Sequence, residues 1–303
     1  MENPLTLSRI NSLVRIANPY ALMMSFVLYA VGVGVLHYLG KSIDGITYWL
    51  GLLVLILLEL GGFFLKGFFN TNYQLFQPRF QRIKTKEPMD ILPVTLLEIT
   101  LVCFGVALAV FIMLIVRGNM QLPAIALFIV AFVLMVFYSM PPFRLAENGF
   151  GELARTLYIV ILLPALAYVL QTNSFHRLIP MITFPLALLY LAMELALSLQ
   201  SYGSEMWGKT FSMMGKMGWQ KGMNFHNLLL LIAYLLVGLA AVFGQPWQLT
   251  WPLLLSFPVS VLQILIMLGI SNGAKPHWRL IIFCAYSIPA FSAYLVDLTL
   301  WIR

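Results

Sequence analysis

Ionisable and amide side chains occur where the chain otherwise reads as hydrocarbon. Glu59 and Lys66 interrupt one long apolar run, and Glu98, Glu194 and Asp297 interrupt three others. Such a group inside lipid is costly and by default marks a functional position. At about 100° per residue, Glu59, Lys66, Asn70 and Gln74 fall on one side of a helix. That stripe runs toward a basic segment holding Arg79, Arg82 and Lys84. Glu194, Ser198, Ser201 and Glu205 share a second face at spacings of four, three and four residues. They lead into Gly208-Lys209-Thr210, a cationic, Gly-rich stretch whose backbone can approach phosphate oxygens. Residues 203–210 match the pattern G-x-x-x-x-G-K-[ST], but a phosphate loop of that kind follows a strand in a soluble unit, and the match is accidental. Glu98 and Asp297, alone in their runs, read as interhelical pairing groups.

The elements that must position these residues follow from composition. Of 303 residues, 61% are hydrophobic and 10% charged, with a mean hydropathy of +0.91. A soluble domain carries about 25% charged residues, and a disordered chain needs low hydrophobicity and high charge, so both classes are excluded. Lys and Arg number 18 against 11 Asp and Glu, a net charge of +7. On a membrane protein this surplus belongs to loops facing anionic lipid, and nucleic acid is not an expected partner. Cys103 and Cys284 lie in apolar runs and form neither a disulfide framework nor a zinc spacing. The polar, mildly basic stretch Met1–Asn18 precedes an apolar run with no cleavage signature, which reads as a retained span.

A crossing helix needs about 20 mostly apolar residues. Nine candidates are present: Tyr20–Leu39, Ile46–Phe69, Ile91–Val116, Leu122–Tyr138, Leu153–Leu170, Leu178–Leu199, Phe225–Phe243, Leu249–Ile270 and Leu280–Ile302. The predicted fold is all-α, a single polytopic bundle over 1–303. Thirteen basic residues then fall on one face and four (Lys41, Arg117, Arg177, Arg303) on the other, which places the N-terminus and the long polar segments 70–90 and 200–224 in the cytoplasm. Those two segments are expected to cap a site on that face. Pro180, Pro185, Pro252, Pro258 and Pro289 are expected to kink their helices. Phe63, Phe64, Phe68 and Phe69 are candidates for a tunnel wall or for lipid contact, and His37, His176, His226 and His277 read as interfacial groups without metal spacing.

A third segment completes the pattern. Tyr138-Ser139-Met140-Pro141-Pro142-Phe143-Arg144-Leu145 ends the fourth span with two prolines and sets Tyr138 and Arg144 at headgroup depth. Gly149-Phe150-Gly151-Glu152-Leu153 follows it.

With nine spans, these two segments and two long loops after spans two and six, the chain resembles the UbiA superfamily of intramembrane prenyltransferases, most of all the type that prenylates 1,4-dihydroxy-2-naphthoate. The resemblance implies a prenyl diphosphate donor, an aromatic quinone-precursor acceptor, Mg²⁺ held by two aspartate-rich motifs, and diphosphate-binding cations. It places the first motif, N-x-x-x-D-x-x-x-D, from Asn70, and the second, D-x-x-x-D-x-x-x-G-K, back from Gly208-Lys209. At the four aspartate positions this sequence has Gln74, Pro78, Gln200 and Ser204. An amide can hydrogen-bond a phosphate but is a poor Mg²⁺ ligand. Glu205 replaces one aspartate only after a one-residue slip.

The carried-over binding set is therefore Lys66, Asn70, Gln74, Arg79, Arg82, Lys84, Tyr138, Arg144, Gln200, Ser204, Glu205 and Lys209, with no catalytic residue assigned and Glu205 the sole metal candidate. Three readings follow: a divergent, largely metal-free prenyltransferase; a non-catalytic prenyl-lipid or quinone-binding relative; and a transporter, for which the repeated halves are missing. In a prokaryote the location would be the inner membrane.

Overall fold

In a computed structural model the chain is described over residues 4–75, 92–118, 120–205 and 212–302, with side chains over 11–70, 92–118, 120–202 and 212–302. A polar backbone in lipid has to close its own hydrogen bonds, and continuous helices do so. Among the described residues nine helical stretches are long and apolar enough to cross a bilayer. Their limits differ from the sequence expectation by a few residues: α2 is Pro19–Tyr38, shifted by one, α3 Gly45–Leu75, extended, α4 Pro93–Val116, starting later, and α5 Leu122–Ser139.

The fifth span is composite. It opens with α6 (Gly151–Thr156), passes through one π-helical stretch at Leu157–Leu162 and ends as α7 (Leu163–Thr172). The π stretch ends two residues before Pro164, which has no N–H to donate to the i−4 carbonyl and whose ring crowds it. The sixth span is α8 (Leu178–Glu205), and α10 (Trp219–Val242) is the seventh. The eighth is broken into α11 (Trp247–Leu254) and α12 (Phe257–Ser271), and the ninth is α13 (Trp278–Ile302). Pro258 sits just past the break, and Ser256 within it is held by hydrogen bonds to Tyr234 (2.9 Å) and Ser292 (2.7 Å). Pro180 makes no break, because it lies in the first turn of α8, where the backbone N–H has no helical partner to lose.

Two short helices lie outside the spans: α1 (Pro4–Ala17), in the stretch read from the sequence as polar and mildly basic, and α9 (Met213–Met217), inside the expected 200–224 loop. The first packs Leu13 and Ile16 toward Phe64 and Leu96. Close approach of the spans depends on small residues. A Cβ on Gly32 would lie 2.3 Å from the Pro164 carbonyl oxygen, so α2 meets α7 backbone to backbone.

The face away from α1 is tied by short connections. Asp44 precedes α3 and accepts from the Ile46 amide and the Thr47 hydroxyl, while Gln171 bonds its backbone on both sides. The Thr47 hydrogen bond holds the Asp44 carboxyl below the usual carboxylate range. On the other face, α3 and α8 both run on past their spans, and the α5–α6 connection lies between them.

Candidate functional site

The two polar stripes meet. A cavity of about 370 Å³ opens at the end of the bundle that carries α9, lined by Lys66 and Asn70 from α3, by Glu194, Ser198 and Ser201 from α8, and by Tyr138, Glu147, Glu152 and Arg155 from around the α5–α6 connection. Asn18, Tyr20 and Tyr286 complete the rim. Their convergence answers the cost of polar groups in a span: each faces the bundle interior and not lipid.

The α5–α6 connection is built to bring its charges inward. Arg144 takes a left-handed φ of 38°, and its guanidinium donates to Asn70 Oδ1 at 3.1 Å while pairing with Glu147. Gly149 has φ 71°, and a Cβ there would lie 2.6 Å from Lys216 Cδ; one on Gly151 would lie 2.8 Å from Ala146 Cα. Only glycine fits both positions, which gives the G-x-G-E-L segment a steric reason. Glu152 then accepts the Met213 amide with both carboxylate oxygens (3.1 and 3.2 Å), fastening the connection to the start of α9. Lys216 covers the Phe150 ring at 4.9 Å.

Arg155 and Glu194 contribute an ion pair to the lining, Nη2 to Oε2 at 2.6 Å. Lys66 is different. Its ammonium lies 5.5 Å from the Tyr138 ring centroid and forms no ion pair among the described residues. Every described carboxylate of the lining is thus engaged, Glu147 by Arg144, Glu152 by a backbone amide and Glu194 by Arg155, and Lys66 lines the same cavity without a direct ion pair.

Of the residues expected from the sequence, Lys66, Asn70 and Tyr138 line the cavity and Arg144 braces Asn70. Gln200 does not line it; its side chain is exposed, and Ser201, one position later, is on the wall instead. On α8 the described lining residues include Glu194, Ser198 and Ser201. Gln74, Ser204 and Glu205 lie in described helix, but their side chains fall outside the described residues, as do Arg79, Arg82, Lys84 and Lys209 altogether. Glu147, Glu152 and Arg155 line the cavity without being expected there; Glu152 stands in the G-x-G-E-L segment and Arg155 follows it by three residues.

Other expectations also shift. Phe63 and Phe64 are buried in helix packing, and none of the four phenylalanines lines the cavity. His226 is buried beside Asn227 (2.9 Å) and not interfacial. Glu98 is exposed without a described partner, close to the start of α4, where its head can reach the interface. Asp297 is half-buried, and one of its oxygens has no partner among the described residues.

The described residues do not fit Mg²⁺. Hard divalent cations need several free anionic oxygens, and among the described residues no group of three or more His, Cys, Asp or Glu is placed to hold a metal.

The architecture is that of UbiA-type prenyltransferases. A digeranylgeranylglyceryl phosphate synthase superposes with a TM-score of 0.59 at 12% identity, covering 97% of this chain and 98% of that one. A UbiA homologue from Archaeoglobus fulgidus bound to GPP and Mg²⁺ gives 0.57 at 13% identity over 94% of this chain and 99% of its own. The same homologue bound to DMAPP and Mg²⁺ gives 0.56 over the same shares. No family model and no curated protein matches the sequence. The chain is thus an integral, multi-pass membrane protein with the UbiA fold.

Proposed function

We propose that this protein binds a prenyl diphosphate at the membrane, the anionic head in the polar cavity and the isoprenoid chain among the helices, and that it does so without Mg²⁺. The observation that carries this is Lys66: a cation that forms no direct ion pair among the described residues, on the wall of a cavity whose described carboxylates are all engaged. Asn70, Tyr138, Ser198 and Ser201 supply hydrogen bonds beside it. The described lining holds too few free cations for a multiply charged head, so Arg79, Arg82, Lys84 and Lys209 are the groups we assign to complete it, with the loops 70–90 and 200–224 as the cap. Gln74, Gln200, Ser204 and Glu205 keep only accessory roles in this reading. The α9 face is assigned to the cytoplasm from the basic-residue segregation, and the inner membrane is its location in a prokaryote.

Transfer to an aromatic, quinone-precursor acceptor is the reaction that the sequence resemblance implies. The leaving diphosphate would be stabilised here by cations and hydrogen bonds in place of metal. A non-catalytic isoprenoid-binding role is the second reading, and the loss of all four aspartates favours it. Release of pyrophosphate from geranylgeranyl diphosphate by the purified protein, with hydroxybenzoate and dihydroxynaphthoate acceptors, separates them. Turnover supports the transferase; tight binding without release supports the binding protein.

A further inference from the structure

A second cavity, of about 570 Å³, lies beside the polar one and is walled mainly by α13. Arg279, Ile282, Phe283, Tyr286, Ser287 and Ala290 share one face of that helix, and Tyr20 of α2 stands across from them. The face runs for about 16 Å at 1.5 Å per residue, the depth of one leaflet in a hydrocarbon core roughly 30 Å thick. Arg279 stands at its head, exposed and forming no ion pair among the described residues, one position after Trp278 at the start of α13. That start lies at the α9 end of the bundle, because α10 leaves this end and the broken span returns to it. Below Arg279 the wall offers aliphatic and aromatic faces. Its hydroxyls are spent within the protein, Ser287 on the Cys284 carbonyl and Tyr20 on the Tyr286 carbonyl, the latter at 3.0 Å. The Tyr20 and Tyr286 ring centroids are 4.3 Å apart, and both residues also line the polar cavity, so this pair is the partition between the two.

We propose that this groove is a binding site for an anionic phospholipid, with the phosphate on Arg279 and one acyl chain along α13 as far as Ala290. Charge and length select that occupant. A guanidinium meets a phosphate with two parallel N–H donors, and a cation beside a Trp at the end of a span sits at headgroup depth. An apolar face without a cation at its head would accept any chain; Arg279 makes the choice of headgroup. A zwitterionic lipid carries the same phosphate beside its own ammonium, so a net negative head is attracted more strongly. The foot of the chain rests on the Tyr20–Tyr286 partition, which places the lipid on the opposite side of that pair from the polar cavity. The site stands whatever the polar cavity binds.

The test titrates the delipidated, detergent-solubilised, full-length protein with dioleoylphosphatidylglycerol or dioleoylphosphatidylcholine, reading the melting temperature and the lipid retained in native mass spectrometry. Wild type is expected to melt higher with phosphatidylglycerol and to retain it in preference. Arg279→Gln removes the cation and Ala290→Phe fills the foot of the groove. Each is expected to lose about half or more of the phosphatidylglycerol increment, since headgroup pairing and chain burial are both needed. Lys275→Gln changes an exposed cation four residues before Arg279 and outside the groove, and is expected to keep the increment. Should Ala290→Phe melt low in both lipids, Arg279→Gln, at an exposed position, decides. No preference in wild type, or an increment kept in a folded groove variant, overturns the proposal. Equal losses in Lys275→Gln and Arg279→Gln overturn it too, because they report diffuse attraction to a basic surface. Displacement of the retained phosphatidylglycerol by geranylgeranyl diphosphate gives the groove to a prenyl chain and overturns it likewise.

Discussion

Arg155 and Glu194 meet at 2.6 Å across α6 and α8, both on the wall of the one polar cavity seen at the α9 end among the described residues. The pair joins the two halves of the site, since Glu194 belongs to the α8 stripe and Arg155 to the segment that follows G-x-G-E-L. Removing one partner strands the other inside the bundle. Arg155→Met is expected to lower stability by about 3–5 kcal/mol, whereas the double change with Glu194→Met recovers much of it. Thermal unfolding in detergent checks this; a single variant as stable as wild type would deny the pair its role.

The glycines of the α5–α6 connection carry a second expectation. Gly149→Ala imposes a left-handed residue, at a cost of about 1–2 kcal/mol, and pushes on the Lys216 stem. Gly151→Ala meets backbone at Ala146, which yields less easily. Both are expected to destabilise, Gly151→Ala more, with the melting temperature as the readout.

The α8 register gives a sharper contrast. Gln200 is exposed and Ser201 lines the cavity. Gln200→Ala is expected to leave geranylgeranyl diphosphate affinity unchanged. Ser201→Ala is expected to weaken it by the worth of one hydrogen bond, about 0.5–1.5 kcal/mol. A reversed order would restore the unslipped motif.

This register shows where the sequence was legible and where it was not. The nine spans could be located because hydrocarbon thickness fixes their length, and Glu59, Lys66 and Asn70 could be placed on one face by the helical repeat alone. Gln200 is placed by counting back from Gly208 along a motif whose aspartates are gone, and Glu205 alone hinted at a one-residue slip. Arg155 and Glu147 failed for a different reason. Their inward aim depends on the left-handed turns at Arg144 and Gly149, which have no periodicity to read. The break between α11 and α12 was half visible in Pro258, but Tyr234 and Ser292, which satisfy Ser256, come from distant helices.

The basic loops supply a fourth expectation. With Lys66 the one described lining cation lacking an ion pair, the remaining charge for a diphosphate has to come from residues such as Arg82 and Lys209. Arg82→Ala and Lys209→Ala are each expected to cost about 1.5–3 kcal/mol of binding, the range of hydrogen bonds to charged groups. Unchanged affinity in both would reduce these residues to topology signals.

Metal independence is tested most directly by equilibrium binding of geranylgeranyl diphosphate to the purified protein with and without EDTA. Equal affinity in the two conditions is the predicted result, together with a loss of roughly tenfold or more in Lys66→Met, since a hydrogen bond to a charged group is worth about 1.5–3 kcal/mol. Binding that collapses on chelation and returns with Mg²⁺ would contradict it.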